Sequence, residues 1–276
     1  MDFTPYYLFL DFDDTLLLNG KVPNKTTRAL KRAKKAGCKI YMNSARSRGN
    51  LMPDLKRATN FEFDGYLCAF TNIYLGSDAQ TTLMHYLMPS EQTERFIDYC
   101  VKYSYWAFIE LENELPYFIK IHGDVKYSDE EYAEFRRQAL EYLKDKPVIK
   151  FNCCPPKSSG YFAINIEEEN PGVNFIRGVD YYETYRQGYG KGIILQKFAE
   201  LQNIDFDRCI HFGDSINDKN AFEVAKISVG MKKTPKEIQH LCTYVAKTNF
   251  GVAEYINKVL LKKIKQEKKA LKNKEK

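Results

Sequence analysis

Four short segments of this 276-residue chain gather side chains able to do chemistry. The sharpest is DFDDTLL at 11–17, which sets Asp11 and Asp13 two positions apart directly after the apolar run YLFL. If that run is a buried parallel strand, both carboxylates stand at its carboxyl end, where open α/β sheets build their sites. Carboxylates held so close repel by about 1–4 kcal/mol, depending on the effective dielectric. A hard divalent cation with oxygen ligands relieves the repulsion. The plainer alternative is a turn or helix-cap cluster in which Asp14 and Thr15 satisfy loop amides.

The second segment, HFGDSINDKNAF at 211–222, repeats the arrangement: an apolar strand, a glycine turn, then Asp214 and Asp218 at the mouth of a helix. Gly213 is expected to permit an unusual turn conformation, and Asn217 to hydrogen-bond locally or cap the helix. The remaining two segments are NSAR at 43–46 and GYGKG at 188–192. Ser44 offers a hydroxyl and a helix-start amide, both suited to a phosphate oxygen. Lys191 is a point charge where a helix begins, an end whose dipole disfavours cations, so helix stability alone does not choose it. GYGKG is neither a GxxxxGK[ST] phosphate loop nor a dinucleotide fingerprint.

These segments need a scaffold, and the periodicity supplies one. Strands at 7–10 and 39–42 alternate with helices at 24–35 and 47–58, and the alternation resumes from 190 with strands at 209–212, 227–229 and 244–246. Such alternation implies a parallel sheet. Between the two stretches the order loosens: helices at 90–103 and 129–144, strands at 106–111, 117–121, 148–151 and 161–166. The expected organisation is an α/β core from 1–79 and 184–276, interrupted by an α+β domain at 80–183. In that insert Trp106, Glu110, Tyr117 and Lys120 are either substrate-facing or core packing.

Composition bounds the partners. Of the net charge of +6, residues 258–276 carry +7 (nine lysines, two glutamates), so the rest of the chain is at −1. The tail reads as a solvated helix face, with Val259, Leu260 and Ile264 inward, running into a frayed and dispensable terminus beyond about 265. No aromatic residue interleaves its lysines, which argues against specific nucleic-acid binding. No apolar run approaches the roughly 18 residues needed to cross a bilayer. The seven cysteines form no CxxC pair and fit free thiols in a cytoplasmic protein.

Taken together, the four segments resemble the haloacid dehalogenase superfamily, specifically the Cof-type phosphatases with a C2-type cap inserted between the second and third motifs. Asp11-Phe12-Asp13-Asp14-Thr15-Leu16 matches motif I, Ser44 with Arg46 motif II, Lys191-Gly192 motif III, and Gly213 through Asp218 motif IV. Thr71-Asn72 and Asn249 with Gly251 are fainter echoes. The resemblance implies a Rossmann-like core and a Mg²⁺-dependent phosphohydrolase of small phosphorylated metabolites, monomeric or weakly homo-oligomeric. It casts Asp11 as nucleophile, Asp13 as acid and base, and Asp11, Asp13 (through its carbonyl) and Asp214 as metal ligands, with Asp218 in support. Ser44, Lys191 and Asn217 would hold the phosphoryl group, with Arg46 and Asn72 supporting. A phosphotransferase or mutase using the same aspartyl-phosphate, and a non-enzymatic binding protein, are the alternatives. Two positions depart from the pattern: Asp14 stands where glycine is usual, and Lys232-Lys233 where Asn-Ala is common.

Overall fold

A computed structural model describes residues 3–274. The chain divides into two compact units: one takes in the chain up to Ala45, Asp54–Met84 and everything from Gly190 onward, the other Arg46–Pro53 and His85–Tyr189. Both boundaries of the long insertion fall a few residues later than 80 and 183, because an extra strand on each side belongs to the sheet that precedes it.

Following the chain, β1 (Tyr7–Leu10), α1 (Asn24–Lys35), β2 (Lys39–Ser44), α2 (Arg48–Ala58), β3 (Gly65–Cys68), β4 (Asn72–Leu75) and β5 (Thr81–Met84) form its first leg. The insertion follows with α3 (Ser90–Lys102), β6 (Trp106–Leu111), β7 (Tyr117–Ile119), α4 (Asp129–Leu143), β8 (Val148–Cys154), α5 (Ile166–Glu169), β9 (Val173–Arg177) and β10 (Tyr182–Arg186). The last leg holds α6 (Lys191–Leu201), β11 (Cys209–Gly213), α7 (Lys219–Val224), β12 (Ile227–Gly230), α8 (Lys236–Gln239), β13 (Tyr244–Val245), α9 (Gly251–Tyr255) and α10 (Leu261–Lys274), the last two joined by a π-helical turn.

The first unit is an α/β layer structure on an eight-stranded sheet in the order β13-β12-β11-β1-β2-β3-β4-β5. Strands β13 through β3 are parallel, and β4 and β5 add an antiparallel edge. Leu8, Phe9 and Leu10 of β1 are fully buried, as a strand covered on both faces must be, and Tyr7 is partly so. Phe9 stacks on Tyr41 at 5.3 Å, and Phe198 of α6 closes on both rings. Helix α1 buries Thr26, Ala29, Leu30 and Ala33, the spacing of one helical face. The lysine tail is better anchored than its composition suggests. Ile264 is buried, Glu267 accepts from the Tyr6 hydroxyl at 2.6 Å and pairs with Arg208 at 2.8 Å, and Lys268 donates to the Ala36 carbonyl at 2.9 Å. The frayed end expected beyond 265 is instead a docked helix described to Lys274.

The second unit is an antiparallel five-stranded sheet, β7-β6-β8-β10-β9. On one face Ala107, Ile109, Phe151 and Cys153 meet Phe96, Ile97, Ala139 and Leu143 from α3 and α4, with Phe96 stacked on Phe151 at 4.5 Å. The alternate residues carry a buried ion network: Lys150 lies 3.2 Å from Glu110 and also pairs with Glu183. Burial alone would push the Glu110 carboxyl up, but Lys150 and hydrogen bonds from Ser47 hold it below its ordinary value. Glu110 is thus buried inside this unit, and Tyr117, half-buried, stacks on Tyr142 at 4.6 Å. The run at 161–166 is not a strand. Tyr161 and Asn165 take positive φ (60° and 47°), which breaks an extended chain, and Phe162 and Ile164 face solvent. All seven cysteines are free thiols, five of them buried.

Candidate active site

The site lies in the first unit, at the carboxyl ends of its central strands. Asp11 N–H donates to the Phe212 carbonyl at 2.9 Å, carrying the β1–β11 pairing one residue past β1 and fixing Asp11 beside the end of β11. Lys191, 0% exposed, is the hub. Its ammonium donates to Asp11 Oδ1, Asp218 Oδ1 and Asn217 Oδ1, each at 2.7 Å, which uses all three of its donors. Its backbone is set from two sides. Asn43 Nδ2 donates to the Lys191 carbonyl at 3.1 Å, and Asn220 Oδ1 accepts from the N–H groups of Gly192 (3.0 Å) and Ile193 (3.2 Å), satisfying orphan donors at the start of α6. A β-carbon on Gly192 would lie 2.4 Å from the Asn220 carbonyl oxygen, so this contact admits only glycine.

Asp218 is saturated. Oδ1 takes Lys191 and His211 Nε2 (2.9 Å), while Oδ2 accepts the N–H groups of Asp214 (3.0 Å) and Ser215 (3.1 Å). The backbone at Gly213 stays out of the left-handed region, contrary to the turn expected there. A side chain is excluded for a different reason: its β-carbon would sit 2.2 Å from Asp218 Cγ. Asp214 in turn accepts from Thr15 Oγ1 at 2.7 Å. Ligand oxygens of Asp11, Asp214 and Asp218 lie within 4.8 Å of one another.

Three carboxylates thus face one ammonium. Burial pushes Asp11 well above the usual carboxylate range, Lys191 opposing and Asp218 and Asp214 adding to the rise. Asp214 is pushed up to about 6, by burial first and by Asp218 next. Burial would raise Asp218 too, but Lys191 and His211 hold it far below its ordinary value. Lys191 stays charged despite burial because Asp11 and Asp218 flank it. Burial pushes the His211 imidazole below its ordinary value, with Asp218 opposing. An all-oxygen cluster with two carboxyls short of counter-charge fits a hard divalent cation. With Asp218 saturated, Asp11 and Asp214 are the carboxylates open to it. Asp13 is exposed and stands outside this trio, and its carbonyl accepts from Thr15 N–H at 2.7 Å.

Of the other residues singled out in the sequence, Ser44 and Asn72 are buried and share one row across the sheet, Ser44 opposite Cys68 and Cys68 opposite Asn72. Arg46, half-buried, falls in the second unit. Asp14 keeps the backbone its usual glycine would have, with φ 53°, a conformation aspartate tolerates better than most residues. Sequence reasoning missed Thr15, Asn43, His211 and Asn220 as parts of this site. Asn43 and His211 carried a signal: His211 is polar in an otherwise apolar strand and Asn43 follows the apolar Ile40-Tyr41-Met42. In the structure each leaves one buried polar atom, Oδ1 and Nδ1, without a partner.

A sequence model of the haloacid dehalogenase-like hydrolases matches residues 8–256. The chain belongs to this family. Relatives of this haloacid dehalogenase-like hydrolase include a Mycoplasma pneumoniae protein provisionally named a phosphatase, 24% identical over 88% of this chain and 92% of that one. The 5-amino-6-(5-phospho-D-ribitylamino)uracil phosphatase YwtE of Bacillus subtilis is 37% identical over 26% of each chain. Among solved structures, the phosphatase BT1666 of Bacteroides thetaiotaomicron superposes with a TM-score of 0.75 at 18% identity, covering 92% of this chain and 94% of its own. The subclass IIB sugar phosphatase BT4131 gives 0.70 at 18% identity over 91% and 98%. These likenesses place the hydrolase in the same fold, a mostly parallel α/β core with a second, antiparallel sheet. Among the described residues no helix is long and apolar enough to cross a membrane.

Proposed function

We propose that this hydrolase cleaves small phosphomonoesters with Mg²⁺, through an aspartyl-phosphate on Asp11. The observation that carries the reading is the clamp on Asp11: a buried carboxylate at a strand end, one oxygen fixed by Lys191 at 2.7 Å, with Asp214 in the same cluster. Asp11, Asp214 and the Asp13 carbonyl would hold the cation, which supplies charge neutralisation for the transferring phosphoryl group.

The chain's own residues carry the steps. The Asp11 carboxylate attacks phosphorus as the bond to the leaving oxygen breaks, and Asp13 gives that oxygen its proton. Asp13 then takes a proton from water, which attacks the phosphoryl group, releases inorganic phosphate and restores Asp11. Asp13 suits both duties because its side chain is exposed beside a buried nucleophile and can exchange protons with substrate and solvent. Lys191 and Ser44 hold phosphoryl oxygens. Since Lys191 already spends three donors, an incoming oxygen takes the place of Asn217 Oδ1, the one neutral acceptor among its partners. The test is Asp11→Asn, nearly isosteric but not nucleophilic, assayed with an aryl phosphate. Turnover should fall at least a thousandfold, and the wild type quenched in acid should carry protein-bound phosphate labile to hydroxylamine. Retention of more than a tenth of wild-type kcat overturns the covalent route.

A further inference from the structure

The two departures from the family pattern, Asp14 and Lys232-Lys233, line one pocket of about 210 Å³ in the first unit. Its apolar lining is Leu18, Pro23, Met231 and Phe250, and Asn19 and Asn249 complete it. The pocket adjoins the carboxylate cluster. Met231 N–H donates to the Gly213 carbonyl at 2.9 Å, so Lys232 leaves the sheet one strand over from Asp214, a spacing of about 4.8 Å between neighbouring strands. Asp14 follows Asp13 directly in the chain.

Lys232 and Lys233 are exposed and make no ion pair among the described residues, which leaves two ammonium groups against the single carboxylate of Asp14. The segment that contributes Asn249 and Phe250 is pinned. Glu254 accepts from Thr248 N–H at 2.9 Å and from the Tyr244 hydroxyl at 2.8 Å, and Phe250 N–H donates to Thr248 Oγ1 at 3.3 Å. The volume is below the roughly 300–1,000 Å³ of sites for drug-sized ligands, so the pocket suits one phosphorylated end of a metabolite. Two adjacent lysines match a dianion better than a monoanion.

Resting on the phosphomonoesterase reading above, we propose that this pocket receives a second phosphate of the substrate, and that the preferred substrates are small bisphosphorylated compounds. Lys232 and Lys233 then carry the attraction against the single opposing charge of Asp14, while Met231 and Phe250 flank the carbon skeleton.

The test compares glucose 6-phosphate, glucose 1,6-bisphosphate and 6-phosphogluconate, the last offering a carboxylate in place of the second phosphate. Wild-type kcat/KM for the bisphosphate should exceed that for glucose 6-phosphate at least tenfold, about 1.4 kcal/mol. The preference should shrink with added salt and fall to within twofold in Lys232→Asn/Lys233→Ala, whose unchanged Tm shows that it folds. A wild-type ratio near one, a ratio unmoved by the double substitution, or a preference for 6-phosphogluconate overturns the assignment. A binding arm separates this from failure of the hydrolytic reading. Calorimetry on the Asp11→Asn protein should give at least tenfold tighter binding of the bisphosphate than of the monophosphate, lost in the added double substitution. Absence of that difference refutes the subsite whether or not the wild type turns over any phosphate.

Discussion

Lys191→Met should destabilise the metal-free protein severely and in a pH-dependent way. The substitution keeps an unbranched chain of similar length in a fully buried position but removes the only ammonium among three carboxylates, breaking contacts of 2.7 Å to Asp11, Asp218 and Asn217. Removing one partner of a buried ion pair costs about 3–5 kcal/mol, because the charge left behind is unpaired. For a protein of this size each kcal/mol moves Tm by about 2–4 °C, which gives a fall of roughly 6–20 °C. The molecule has one relief. Asp11 and Asp214, already pushed upward by burial, can take up protons, whereas Asp218 keeps His211 and two backbone donors. The deficit should therefore be largest at pH 7.5 and smaller at pH 5.5. Differential scanning calorimetry in chelator at both values decides it. A loss below about 2 °C at pH 7.5, or an equal loss at both, refutes the view of Lys191 as the counter-charge that holds the cluster together.

Three further outcomes are expected. The rise in wild-type Tm on adding Mg²⁺ should shrink from pH 7.5 to pH 5.5, because burial raises both Asp11 and Asp214, the latter to about 6. A carboxyl raised in the folded state favours the metal-free fold below that pH, so protons compete for the cation's ligands; a constant or growing shift speaks against Asp214 as a ligand. Gly192→Ala should cost about 1–3 kcal/mol in urea titration, since its β-carbon meets the Asn220 carbonyl at 2.4 Å, and a neutral result would mean that the close approach is absent. Truncation after Lys265 removes the Glu267 and Lys268 contacts and should lower stability by about 1–3 kcal/mol with kcat/KM within twofold; an unchanged urea midpoint refutes the docked tail.

What the sequence made legible was whatever is local. The four apolar residues of β1, followed at once by Asp11, announce both the strand and the carboxylate at its end, and the same holds for β11 and Asp214. The rest depends on partners far along the chain. Nothing near Asn220 tells that it closes the start of α6, and nothing near Thr15 tells that it donates to Asp214. The strands at Thr81–Met84, Val173–Arg177 and Tyr182–Arg186 were hidden because they are edge or half-covered strands whose polar residues blur the period of two. The run at 161–166 is apolar but for Asn165 and so reads as a strand, yet two residues in the left-handed region turn it away from any sheet.

The position of β1 between β11 and β2 also bears on how the molecule is made. Tyr7 pairs with Cys209, so the central strand of the first unit lacks one neighbour until the ribosome has passed the whole insertion. At about 5–20 residues per second that interval is roughly 10–40 s. Residues His85–Tyr189, by contrast, emerge as one continuous stretch whose five strands pair only with each other. The insertion can thus fold while the nascent core still exposes an edge of β1, and this waiting period, more than the stability of the finished sheet, is where chaperone capture or aggregation would act on this chain.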